Sequence, residues 1–244
     1  MELNTLMANI AKAALVVLAL VLPGVPVAQS DGETNASLPG QRLEVTGQVM
    51  VSHVNVADEA LEDASEVVVW LVPAQTGDKN QPAVDPPHYR IVQRDKRFKP
   101  RFLVIPVGST VDFPNYDQWF HNVFSISRGR QFDLGLYAAG ELRSVRFDRT
   151  GVSYLFCSIH PDMMAVVVAV DSRYFGVSDK VGRVAIENVP PGQYLLHVWR
   201  ENPAPQGFRA TPRLALVGAG HRDLPVISVP RCNAKPTNPK TWMQ

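Results

Sequence analysis

Cysteine is scarce in this chain: 244 residues hold two, Cys157 and Cys232. That excludes a disulfide-dense scaffold and any four-cysteine zinc or iron–sulfur site. Charge of one sign is also missing. Lys plus Arg number 24 against 23 for Asp plus Glu, a net charge of +1. Such a balance offers no basic field for nucleic acid and no acidic tail. No long segment keeps a helical period, and there is no repeat or low-complexity tract. The apolar run at 13–22 (AALVVLALVL) is ten residues long, about half of the roughly 20 that a membrane-spanning helix needs.

Turn formers and strand formers are plentiful. Twenty prolines and sixteen glycines, with 45% hydrophobic residues, point to many turns and short strands and hence to an all-β chain. At the N-terminus, Lys12 precedes the apolar run, Pro23-Gly24 ends it, and Ala28-Gln29-Ser30 places small residues where a signal peptidase reads. Residues 1–30 are therefore expected to be a secretory signal cleaved before Asp31, with a retained anchor as the alternative. Removing them loses Lys12 and Glu2 together, so the net charge is unchanged. The remainder has room for two β-domains of about 100 residues each, after a loose tail at 31–42.

Alternating apolar residues at 43–51 predict a half-buried strand, and the continuous run 66–72 (EVVVWLV) predicts one buried on both faces. The acidic stretch 57–65 reads as a loop or one helical turn, and 74–88 as a linker. Strand-like segments follow at 101–106, 110–113, 121–127, 143–148, 152–157 and 164–170, divided by turn signals such as Pro114-Asn115, Arg128-Gly129 and Thr150-Gly151. That spacing suggests a β-sandwich. A last group covers 183–187, 194–199, 214–217 and 226–229, and Gly218-Ala219-Gly220 reads as a turn.

The chemistry is concentrated in residues 152–164 (VSYLFCSIHPDMM), where Cys157, His160 and Met163 stand in a Cys-x2-His-x2-Met array. Upstream, His121 opens another strand in the segment 115–125 (NYDQWFHNVFS). Two imidazoles, a thiolate and a thioether suit copper, in a trigonal His2Cys plane with a long axial Met. Three ligands on one short loop can wrap an ion while the fourth ties that loop to a neighbouring strand. Each residue alone has an ordinary explanation: a Cys157–Cys232 disulfide, a surface His121 beside Trp119-Phe120, a loop His160, core methionines at 163 and 164. Together those explanations need four coincidences at one spacing. No His-x-His pair is present, and neither Cys has His on both sides, so a second, catalytic copper within one chain is not expected. Asp112, Asp133 and Asp162 read as solvated or turn residues.

Residues 98–170 resemble the cupredoxins, and amicyanin-type members above all. The resemblance rests on Val107-Gly108-Ser109-Thr110-Val111, Phe113, Asn115, His121-Asn122-Val123, Gly151 and Cys157-Ser158-Ile159-His160-Pro161-Asp162-Met163. It implies a Greek-key β-sandwich holding one type 1 copper ion, with His121, Cys157 and His160 equatorial and Met163 axial, Met164 being the fallback. In plastocyanin the loop is two residues longer, which would put the axial Met at Ala165, so the short loop is required. The resemblance further implies that Asn122 and Ser158, each following a ligand, bond to one another and pin the two ligand loops.

Residues 47–72 and 177–199, with the hairpin GRVAIENVPPGQY (182–194), resemble a carboxypeptidase regulatory-like domain, another small β-sandwich. The domain plan that follows is a signal peptide (1–30), a tail (31–42), a first part of the regulatory-like sandwich (43–74), the cupredoxin (75–170), the second part (171–230) and a C-terminal tail (231–244). An exposed loop accepts such an insertion when the ends of the insert lie close together. The combination resembles exported bacterial methylamine-utilisation-type proteins. It implies a periplasmic carrier of single electrons between redox partner proteins, not an enzyme, with no nucleic-acid partner and no membrane span after cleavage. The alternative is a copper-binding protein for delivery, storage or resistance.

Overall fold

The computed structural model describes residues 41–52, 63–74, 87–201, 209–216, 218 and 220–230. The signal sequence, most of the tail at 31–42, the linker core at 75–86 and the C-terminal tail with Cys232 lie outside the described residues. Among the described residues no helix occurs, and the protein is all-β.

Two strands come first, β1 (Leu43–Ser52) and β2 (Val67–Pro73). Next are β3 (His88–Arg90), β4 (Val92–Arg94), β5 (Arg97–Lys99), β6 (Phe102–Pro106) and β7 (Thr110–Pro114). They are followed by β8 (His121–Ser125), β9 (Phe132–Tyr137), β10 (Leu142–Arg146), β11 (Gly151–Cys157) and β12 (His160–Val170). The last six are β13 (Phe175–Val177), β14 (Arg183–Val189), β15 (Gly192–Arg200), β16 (Arg209–Leu216), β17 (Gly220–Asp223) and β18 (Ile227–Pro230).

One sandwich sets the five-stranded sheet β6-β12-β11-β8-β9 against the three-stranded sheet β10-β7-β3, with β4 and β5 forming a separate hairpin. Its core gathers Ile105, Val111, Phe113, Val123, Leu155, Val167 and neighbours from both sheets. The other sandwich sets β14-β1-β17, with β18 also on β1, against β13-β2-β15-β16. Leu43, Val45, Val69, Leu71, Ile186 and Leu196 are among its buried residues. β1 pairs with β14 (Val45 opposite Ile186) and β2 with β15 (His197 opposite Trp70). The strands before residue 87 therefore pair with strands after residue 174, across the whole length of the first sandwich.

The unbroken apolar runs have a physical reason. In β2, Val67, Val69 and Leu71 enter one core while Val68 and Trp70 enter a third cluster. In β12, Ala165, Val167 and Ala169 face the core of the first sandwich, and Val166, Val168 and Val170 face that same third cluster. Trp199 completes it, stacked on Phe102 at 6.1 Å between ring centroids. Both sheets are thus apolar on both faces, which removes the alternation a one-sided strand would show. Arg101 bridges Glu66 at 3.1 Å and Glu201 at 3.4 Å beside this cluster. Exposed ion pairs contribute about 0–1 kcal/mol each, against roughly 1.5–3 kcal/mol for each large apolar side chain buried, so the apolar contact holds the layers together.

Candidate metal centre

The loop from Asn115 to Phe120 sets the first candidate ligand. Asn115 is buried, and its Oδ1 accepts from the Asp117 N–H at 3.0 Å. Its Nδ2 donates to the carbonyls of Trp119 at 2.7 Å and Tyr137 at 3.3 Å. A short side chain bonding its own backbone two residues on is the turn device expected of Asn. The loop delivers His121 to the start of β8, fully buried. Cys157 ends β11, also buried, where the register with β12 shifts and the chain turns through Ser158 and Ile159. His160 opens β12 directly opposite Cys157 and is partly exposed.

Three donor atoms converge. His121 Nδ1 lies 3.0 Å from His160 Nδ1, and Cys157 Sγ lies 3.9 Å from the first and 3.7 Å from the second. The point equidistant from these corners lies about 2 Å from each, close to metal–imidazole and metal–thiolate bond lengths. Hydrogen bonding alone does not account for the cluster. One proton can bridge the two nitrogens, but the sulfur stands too far off to bond strongly. The Cys157 sulfur is buried with no close partner, and burying an under-bonded polar group costs on the order of 1–3 kcal/mol. A soft cation that accepts two imidazoles and a thiolate removes that cost, and copper(I), copper(II) and zinc have the matching ligand preference. The residues present therefore fit the metal that the sequence motif implies. Cys157 is a free cysteine.

Met163 is buried in the same cluster as Cys157, whereas Met164 occupies the opposite, half-exposed face of β12. Asn122 Oδ1 accepts from the Ser158 N–H at 2.9 Å, joining the His121 strand to the Cys157 turn. Its Nδ2 donates to Asp133 Oδ1 at 2.7 Å, so that carboxylate is part of the scaffold and not merely solvated. Behind His121, Tyr137 pairs in register with it, donates its hydroxyl to the Phe113 carbonyl at 3.0 Å and accepts from Gln93. Burial pushes the Tyr137 phenol well above its ordinary range.

Sequence reasoning missed Asp117. Its Oδ2 lies 2.8 Å from His121 Nε2, the ring nitrogen turned away from the donor triangle. The same carboxylate accepts the Asp95 N–H at 2.6 Å and the Lys96 N–H at 2.9 Å from the β4–β5 turn. Burial raises its pKa, but the Lys96 N–H, the His121 ring and the Asp95 N–H outweigh this and leave it below the ordinary carboxylate range. A carboxylate four residues ahead of a ligand histidine, in a loop opened by Asn, was the available signal. His160 is held below its usual value, first by burial and then by the charges of His121 and Lys96.

Around the centre, Tyr116, Trp119, Phe120 and Ile159 are exposed. Lys96 Nζ sits 5.2 Å from the Trp119 ring centroid, and the Arg94 guanidinium 5.2 Å from that of Tyr116. Among the described residues no other group of three or more His, Cys, Asp or Glu side chains brings its ligand atoms this close together.

No family model matches this chain, and no curated protein does. Among solved structures it is similar to a purple cupredoxin from Nitrosopumilus maritimus, at 28% identity over 34% of this chain and 99% of that one, with a TM-score of 0.31. It is also similar to the copper-containing nitrite reductase NirK from Thermus scotoductus SA-01. There the identity is 27%, 41% of this chain and only 26% of that one are covered, and the TM-score is 0.35. A Cu(I) amicyanin variant matches at 20% identity over 36% of this chain and 87% of that one, with a TM-score of 0.33. The solved structures to which the chain is similar include cupredoxins and a copper-containing nitrite reductase, and the chain itself carries a His–Cys–His group.

Proposed function

We propose that this protein is an exported, periplasmic carrier of single electrons, built around one type 1 copper held by His121, Cys157 and His160 with Met163 as a weak axial ligand. The observation that carries this reading is the convergence of two imidazole nitrogens and one thiol sulfur within 3.9 Å of one another. Copper bound there would supply one-electron chemistry between its two common oxidation states. The work of the protein is to hold the donors so still that neither state requires rearrangement. His121 is clamped from behind by Asp117. Cys157 and His160 are fixed by opposing register positions and by the Asn122–Ser158 bond. The buried cluster around Cys157 excludes water from the sulfur. His160 is the ligand that reaches the surface and is the natural exit for the electron. The apolar rim of Trp119, Phe120 and Pro161 is suited to brief contact with a redox partner, since such complexes use small interfaces.

In this proposal the cupredoxin domain (75–170) is a copper module inserted in a regulatory-like sandwich, the second unit serving as its mount. The test is to load residues 31–244 with Cu(II), record visible and EPR spectra, and repeat with Cys157→Ser. An intense thiolate-to-copper absorption with narrow hyperfine splitting, lost in the variant, is the expected result. Ordinary tetragonal Cu(II) signals unchanged by Cys157→Ser would overturn it and leave a copper-binding role without electron transfer.

A further inference from the structure

We infer that Asp117 is a positioning residue for the centre: its carboxylate fixes the tautomer of His121 and biases the site toward the more highly charged state of the bound ion. This rests on the copper reading above for its redox half and on the geometry of the chain alone for its tautomer half.

A histidine can offer a lone pair from Nδ1 only when its proton sits on Nε2, and nothing intrinsic to imidazole guarantees that choice. Here Nε2 faces a carboxylate oxygen at 2.8 Å. A carboxylate accepts and does not donate, so the proton resides on Nε2 and Nδ1 is left bare toward His160 and Cys157. The 3.0 Å contact between the two Nδ1 atoms agrees with this, as His160 can then donate where His121 accepts.

Asp117 is itself held. Two backbone N–H groups from the β4–β5 turn and its own N–H on Asn115 leave its carboxylate no other direction to point. His121 is fully buried, and the Asp117 side chain is 10% exposed. Water therefore screens the pair poorly, and the negative charge acts on the ring at short range. An imidazole that donates to a carboxylate is a stronger base and a stronger ligand, and removing such a partner costs 10–100-fold in metal affinity or activity elsewhere. The added electron density favours the oxidised ion over the reduced one, because the oxidised ion carries one more positive charge.

Two measurements test the inference. Long-range nitrogen–proton NMR on the metal-free protein should find the His121 proton on Nε2; a proton on Nδ1 would overturn the tautomer assignment without any variant having to fold. In the copper-loaded protein, Asp117→Asn keeps an acceptor oxygen but drops the charge. It should lower the preference for oxidised over reduced copper about tenfold, a midpoint rise of about 59 mV, with the thiolate absorption retained. A midpoint equal to that of the wild type would overturn the electrostatic half. A wild-type protein without the thiolate absorption would instead overturn the copper reading, and the NMR result would then decide the role of Asp117 on its own.

Discussion

Asn122 joins two loops through one amide. Its oxygen takes the Ser158 N–H and its nitrogen holds Asp133, so Asn122→Ala removes two hydrogen bonds made by a buried side chain. A loss of about 1–3 kcal/mol in stability is expected, read from denaturant unfolding of the metal-free protein, together with a broadened thiolate absorption in the copper form. The convergence of His121, Cys157 and His160 was legible from spacing, because copper chemistry calls for those residue types and one short loop supplies two of them. Asp117 was not, because a carboxylate in a polar loop looks the same in sequence whether it meets water or a buried ring. The placement of Met163 inside and Met164 outside was legible only as a pair of adjacent sulfurs. The strand period, one face in and the next out, separates them.

The β4–β5 hairpin is one element that the sequence concealed, as are β9 and β13. Each of its strands has three residues, too few to display a period, and its turn uses Asp95 and Lys96 with positive φ angles of 57° and 54°. Two such residues in a row suit a tight hairpin whose twist matches its strands. The tip of this hairpin delivers the two N–H groups that anchor Asp117. It also lifts Arg94, Lys96 and Arg97 into solvent, none in an ion pair among the described residues, whereas Lys99 pairs with Asp95. On the ligand loop Asp162 is exposed and of opposite sign. A net positive rim should draw anionic reagents toward His160. In the proposed carrier, Arg94→Glu with Lys96→Glu should slow electron exchange with an anionic inorganic oxidant on the order of tenfold at low salt. The difference should vanish as ionic strength passes about 0.1 M, where screening acts within about 10 Å. Stopped-flow rates across a salt series measure this, and a salt-independent difference would point to structural damage instead.

At the scale of the molecule, the all-β class and most strands followed from turn residues and alternation. The pairing of early with late strands followed from a resemblance in two separated segments. What the sequence did not display is that the two sandwiches share a buried cluster, since an apolar run reads alike whatever covers its second face. Glu201 reports on that junction. Burial lifts its pKa and the nearby Glu66 adds to this, outweighing the pull of Arg101. Its folded pKa is therefore above the unfolded value, and its neutral form suits the folded state. Folding takes up a proton in the window between the two values, and stability falls as pH rises through it. Glu201→Gln should flatten that fall and leave the protein more stable than wild type at neutral pH. Denaturant unfolding from the weakly acidic to the neutral range is the check, and a variant less stable at neutral pH would assign the Arg101 pair the greater weight.

The two-faced β12 has a consequence for anyone who would cut the half carrying His121, Cys157 and His160 free. One side of the strand lines the core behind Cys157, while Val166, Val168 and Val170 on its reverse, with Val104 beside them, are covered by Val68, Trp70 and Trp199 from the other sandwich. Excision would leave that valine stripe bare on an open sheet, a surface that sticks to its own copies. The halves are interleaved in sequence as well, so no single cut separates them. Removing or exchanging the first sandwich would therefore require a replacement cover for the same stripe.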